Sequence, residues 1–166
     1  MDYFWSWTME LLEEQQRSGV IELIDDLVCG TDILEVVNNG DVGEHDTVLM
    51  LSFDGAQLYR NKISDCWIYV WIIVNFSLDL WYKKRYVIPG GIMPGPHKIK
   101  IVESFKLPGL QHIAALNKED GLSVWDASHN MKVKSQLYII LATADGPGMV
   151  YLNGLVDHSG KIGCCL

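Results

Sequence analysis

Cationic residues are scarce in this chain. Lys and Arg number 13 against 21 Asp and Glu, for a net charge of −8, and the acidic excess sits mostly before residue 55. No basic stripe or basic tail is visible. If the chain works on DNA, other segments must supply most of the phosphate neutralisation. Cysteine is sparse as well, with only Cys29, Cys66, Cys164 and Cys165. Met1–Leu12 carries acids and no basic n-region, so no secretory signal is expected. A reducing intracellular compartment then fits these cysteines better than a disulfide framework. The longest apolar run, Cys66–Phe76, is about half the length a helix needs to cross a bilayer, so no membrane partner is expected. There is no internal repeat. The Pro/Gly-rich stretch Pro89–Pro96 lacks the Gly-Lys-Ser/Thr of a phosphate-cradling P-loop.

What the chain does have is apolar material. Of its 166 residues 49% are hydrophobic, enough to build the core of one domain or of a large piece of one. Asp2–Arg17 holds no Gly or Pro and repeats Tyr3, Trp7 and Leu11 at helical spacing. Val20–Val28 reads as a second short helix. Thr31-Asp32 could cap a third over Ile33–Val37. These make a helical N-terminal segment, residues 1–45, ahead of a sheet domain in 46–166.

The sheet is expected to start with Val48–Phe53 and continue with Cys66–Phe76, rich in aromatic and β-branched residues. A third strand begins at Tyr86–Ile88 and runs into Pro89–Pro96, where the Pro/Gly density predicts a stiff irregular loop. Ile101–Leu116 reads as a helix with Phe105, His112 and Leu116 facing inward, open to a break at Pro108-Gly109. Leu122–Asp126 is a short strand. Gln136–Ala144 fits a buried strand, while Met131–Ala144 fits a helix equally well. The fold class is α+β. A three-strand meander followed by a helix and a strand is how a ribonuclease H-like mixed sheet begins, and other α+β folds share that order.

Two aspartates stand in one context. Asp54 follows LMLSF, Asp145 follows YIILATA, and each is followed at once by Gly. Asp-Gly is a common turn pair. Adjacent parallel strands would also bring two such carboxylates together, where their repulsion calls for a proton or a cation between them. Oxygen-only ligands suit Mg²⁺ or Mn²⁺, and paired metals of that kind serve phosphodiester cleavage and strand transfer. Asp126, in VWDASHN, competes with Asp145 for the second position.

Several segments resemble a known family. These are Asp54-Gly55-Ala56-Gln57-Leu58-Tyr59, Ser64-Asp65-Cys66-Trp67, Ile88–Pro96, Val124-Trp125-Asp126-Ala127 and Ala144-Asp145-Gly146-Pro147. The pattern continues in Leu152-Asn153-Gly154 and in His158 through Cys164. In this order they resemble the transposase of En/Spm-type (CACTA) DNA transposons, in the version found in basidiomycete fungal genomes. The resemblance implies a ribonuclease H-like catalytic domain whose Asp-Asp-Asp/Glu triad binds Mg²⁺ or Mn²⁺, acting in the nucleus on the DNA of transposon ends. By position Asp54 is the first acid and Asp145 the second, 91 positions apart. The chain departs from the family where Pro147 is followed by Gly148 rather than Ala. The family's zinc-like Cys-x-x-Cys breaks off after Cys164, and the adjacent Cys165 cannot replace the missing partner; Zn²⁺ is therefore expected only in a full-length relative. The third acid lies further downstream in the family. The expectation is a fragment of the catalytic region with little or no activity by itself. The alternative is a transposon-derived interaction protein that keeps the sheet and binds partners without catalysis.

Overall fold

In the computed structural model the described residues are 3–21, 24, 26–57, 65–94, 102–127 and 129–153. Helix α1 (Tyr3–Ser18), a single 3₁₀ turn (Leu27–Cys29) and helix α2 (Thr31–Asn38) lead into strands β1 (Thr47–Gln57), β2 (Asp65–Ile73) and β3 (Val87–Pro94). Helix α3 (Glu103–Lys118), strands β4 (Leu122–Asp126), β5 (Met131–Ser135) and β6 (Leu137–Ala144), and helix α4 (Gly146–Asn153) follow. The main sheet has the order β3-β2-β1-β6, and β4 and β5 form a separate two-stranded ribbon. β1 is antiparallel to β2 and parallel to β6, so the sheet is mixed and the fold is α+β.

β1 is central, which explains its uninterrupted apolar sequence. Strand side chains alternate between faces, and β1 is buried on both. Val48 and Met50 join Phe4, Leu11, Val28, Leu34, Ile72 and Val74 in one core. Leu49, Leu51 and Phe53 join Tyr69, Trp71, Met93 and Leu137 in the other. The first core contains α1 and α2, so the N-terminal helices and the sheet share a hydrophobic interior. Trp67 and Trp71 both pack on the second face, as their spacing predicts, and Trp67 stacks on Phe53 with ring centroids 5.0 Å apart.

The structure corrects several boundaries. Val20–Val28 is not a helix as a whole; among its described residues only Leu27 and Val28 are helical, in the 3₁₀ turn. Asp54-Gly55 is not a turn, because β1 runs on through it, pairing Asp54 with Ile68 and Gly55 with Trp67. Pro89–Pro94 is not an irregular loop but most of β3. The sheet tolerates this proline because β3 is an edge strand, where a missing N–H costs no ladder bond. Gly90 sits where the β2–β3 register shifts between Tyr69 and Val70. The Tyr69 ring lies over this glycine pair: a Cβ on Gly90 would fall 2.1 Å from Tyr69 Cε2, and one on Gly91 2.6 Å from Cε1.

Helix α3 is continuous through Pro108. Gly109 lets it approach the sheet, since a Cβ there would meet Tyr69 Oη at 3.2 Å and Trp71 Cζ2 at 3.5 Å. Tyr69 also donates to the Phe105 carbonyl at 3.3 Å. Leu116 packs on the second core, whereas Phe105 is 44% exposed and His112 is exposed. The two readings of 131–144 resolve into two strands separated at Gln136.

The start of β1 is tied down by polar groups. Asn75 is buried; its Oδ1 accepts from Val48 N at 2.8 Å and its Nδ2 donates to the Asp46 carbonyl at 2.9 Å. The Asp46 carboxylate accepts from Gln136 N and from Gly43 N, each at 2.8 Å. Asn117 holds the first residue of β6 by both sides of its amide, accepting from Leu137 N and donating to the Leu137 carbonyl, each at 2.9 Å.

Two stability predictions follow from these contacts. Gly90→Ala is expected to cost about 1–3 kcal/mol by overpacking against Tyr69, and the cost should shrink when Tyr69 is also cut to Ala. Urea unfolding of the single and double variants measures this, and a neutral Gly90→Ala would refute the packing. Asn75→Ala leaves the Val48 N–H buried without its acceptor and is expected to cost about 1–3 kcal/mol. A change below a few tenths in the same assay would show that the amide does not anchor the strand.

Candidate carboxylate site

The parallel pairing of β1 and β6 begins at Thr47↔Leu137 and ends at Phe53↔Ala144. The next residue on each strand is an aspartate, Asp54 on one and Asp145 on the other. Neighbouring strands lie about 4.8 Å apart, so the ladder brings these two residues to neighbouring positions at one end of the sheet. Both residues are exposed. Asp54 thus sits where the parallel pairing stops, although the antiparallel pairing with β2 continues past it.

This meeting depends on a bulge. The register slips between Leu49 and Met50: Leu49 pairs with Ile139 but Met50 pairs with Leu141, leaving Ile140 as the extra residue. Without that insertion Ala144 would lie beside Asp54, and Asp145 would move to the level of Gly55. The bulge also switches the face of every later β6 side chain. Leu137 packs on the second core, Tyr138 and Ile140 on the first, and Ala144 returns to the second beside Phe53.

Asp145 also starts α4. One of its carboxylate oxygens accepts from Gly148 N at 2.8 Å, the geometry of a side-chain cap. Gly148 is buried, and a Cβ on it would lie 2.8 Å from both Ala144 Cβ and Asp145 Oδ1 and 3.3 Å from Phe53 Cδ1. The glycine that departs from the resembled motif is therefore one that this packing requires. Gly146–Gly148, after the end of the apolar run, belong to the first turn of α4.

The donor chemistry is all oxygen, which suits Mg²⁺ or Mn²⁺ and not a thiolate-seeking metal. Mg²⁺ is commonly held by one or two carboxylates, with waters and substrate phosphates completing its shell. Asp54 and the second oxygen of Asp145 fit that role. Among the described residues no group of three or more His, Cys, Asp or Glu is gathered closely enough to hold a metal ion.

Asp126 is not a competing ligand beside Asp54. It ends β4 and lines a cleft of about 400 Å³ with Glu44, His45, Asp46, Asn75 and His129. That cleft lies at the start of β1, and Asp46 is roughly 26 Å along the extended strand from Asp54. Asp126 Oδ2 pairs with His129 Nδ1 at 2.6 Å. Spacing hides this dyad and the anchoring role of Asp46 in the sequence; the only visible signal is an acid just ahead of an apolar run. Asp46, with Asp41, adds to the effect of burial in pushing the Tyr138 phenol above its ordinary pKa. In the basic turn Lys83 is engaged by Asp79 at 3.1 Å. The Ser77 hydroxyl, and then Lys83, hold the Asp79 carboxyl below the usual range. Cys29 and Cys66 are buried. Cys164, Cys165 and His158 lie outside the described residues. Among the described residues no helix is long and apolar enough to cross a membrane.

No protein-family model, curated protein or solved structure matches the chain.

The geometry predicts one Mn²⁺ bound at Asp54 and Asp145. Titration followed by electron paramagnetic resonance should show binding that weakens at least tenfold in Asp54→Asn and in Asp145→Asn, while Asp126→Asn binds as the parent does. Equal binding in all four proteins would eliminate the site.

Proposed function

We infer that this chain carries the catalytic carboxylates of a DDE-type DNA transposase of the En/Spm (CACTA) kind, on a ribonuclease H-like sheet. The observation that carries the reading is the pairing that ends at Phe53↔Ala144 and leaves Asp54 and Asp145 on adjacent parallel strands. An antiparallel β1–β2–β3 meander, a helix, and a later strand returning parallel beside β1 support it. So does the run of motif segments, two of whose acids are the two that meet.

The chemistry a bound Mg²⁺ or Mn²⁺ supplies is polarisation of a phosphate oxygen and activation of a water or hydroxyl for attack on phosphorus. Asp54 and Asp145 would hold the ion. Gly148 N–H fixes one oxygen of Asp145 and leaves the other without a role in the cap. In this reading the substrate is a DNA phosphodiester at a transposon end, and the place of action is the nucleus. Two acids make an incomplete version of the triad that the family uses, so cleavage by this chain alone is weak.

Supercoiled plasmid incubated with the chain and Mg²⁺ or Mn²⁺ tests the reading. The expected result is trace nicking at most, abolished by Asp54→Ala. Vigorous nicking that depends on Asp54 would show that the two carboxylates suffice. Absence of any Asp54-dependent metal binding would remove the catalytic reading in favour of a non-catalytic interaction protein.

A further inference from the structure

The ribbon β4–β5 has two chemically different faces. Val124, Val133 and Ser135 point inward, and Ser135, which is buried, shares a 2.7 Å hydrogen bond with Thr47 at the start of β1. That bond fixes the ribbon on the sheet. The outward face consists of Ser123 opposite Lys134 and Trp125 opposite Lys132. All four residues are exposed, and the Trp125 side chain is 55% exposed. Directly opposite residues on such a ribbon have Cβ atoms about 5 Å apart, and Lys132 and Lys134 are about 7 Å apart along their strand. Among the described residues neither lysine is held in an ion pair. Asp126, the nearest acid in sequence, is on the inward face and engages His129.

An exposed indole directly opposite one ammonium group and diagonal to a second, on a chain whose net charge is −8, is a local reversal of sign joined to a flat π surface. A tryptophan left in water is also costly if nothing ever covers it. The chemistry complementary to this face is a polyanion with flat aromatic groups along it. We propose that the outward face of β4–β5 binds single-stranded nucleic acid, with Trp125 stacking on a base and Lys132 and Lys134 contacting the phosphates on either side. The inference rests on the transposase reading only for taking DNA as the natural strand, such as one frayed at a cleavage site; the face itself is independent of Asp54 and Asp145.

The test is fluorescence anisotropy of a labelled oligo(dT) with the full chain in EDTA, so that the carboxylate site takes no part. Trp125→Ala and the pair Lys132→Ala/Lys134→Ala should each weaken binding at least tenfold. The lysine pair should also reduce the salt slope by about 1.4, given about 0.7 per phosphate contact on a single strand. Trp125→Phe, which keeps a stacking ring, should retain most of the affinity. Circular dichroism melts check folding; should Trp125→Ala not fold, Lys132→Glu/Lys134→Glu on exposed positions decides the matter. Wild-type affinity in the folded variants overturns the proposal, as does a labelled polyglutamate peptide that binds this face as tightly as the oligonucleotide. Asp54→Asn should bind oligo(dT) normally. Loss of Asp54-dependent Mn²⁺ binding with oligonucleotide binding intact would therefore defeat the catalytic reading alone, and the converse would defeat this one alone.

Discussion

The register of β6 against β1 is the constraint on which the rest of the molecule depends. A one-residue slip in a strand turns every side chain to the other face, and β6 must serve two different cores as well as deliver Asp145. Two devices set that register. At the start of the pairing, Asp46 accepts from Gln136 N while Thr47 N donates to the Gln136 carbonyl at 2.8 Å, and Asn117 clasps Leu137 from the side of α3. Three residues in, the extra residue Ile140 advances β6 by one position. The first device alone would align Ala144 with Asp54. Both together align the aspartates.

This arrangement separates the polar anchor of the sheet from its candidate site. The hydrogen-bonded cluster of Asp46, Asn75, Thr47 and Ser135 lies at the start of β1, where backbone groups at the strand ends need partners. The carboxylates lie at the other end, where the second core closes with Phe53, Trp67 and Ala144. Burial of both faces through Phe53 and exposure at Asp54 and Gly55 mark the limit of that core. The strand holding Asp54 is therefore rigid up to the residue before it, which is how a site gains positional precision from a scaffold element and not from a loop.

Much of this was legible in the sequence, and the failures have physical causes. Uninterrupted apolar character located β1 and β2, because strands buried on both faces cannot alternate; β6, expected as a buried strand or a helix, is an outer strand with Ile139 and Leu141 exposed. The meander order followed from short connections. Asp54-Gly55 read as a turn because local propensity favours one there, but pairing with Ile68 and Trp67 of β2 keeps the backbone extended. Pro89 and Gly90 read as a loop for the same reason; an edge position and the Tyr69 ring above the glycines turn that composition into a strand. The choice between a helix and strands over 131–144 could not be made from periodicity. It is decided by β5 pairing with β4 and β6 with β1, contacts that are remote in sequence. The same distance hid the separation of Asp126 from Asp54. Both follow apolar runs, and only the placement of the ribbon at the start of β1 tells them apart.

Asp145 caps α4, and the proposed metal role would give it a second duty. As a cap it keeps one oxygen on Gly148 N–H, and as a ligand of the proposed ion it would offer the other. A carboxylate can do both because its two oxygens are equivalent and diverge, whereas Ser or Asn, which cap about as well, would satisfy the first duty and lack the charge for the second. The buried glycine at position 148 is the counterpart of this choice. It brings the helix against Phe53 and Ala144, so the capping bond can form only with the carboxylate held over the end of β6. The residue that follows the strand and starts the helix is thus chosen by the geometry of its cap, and the proposed ligand role would add a requirement for charge. A purely structural helix start at this position would require only the former.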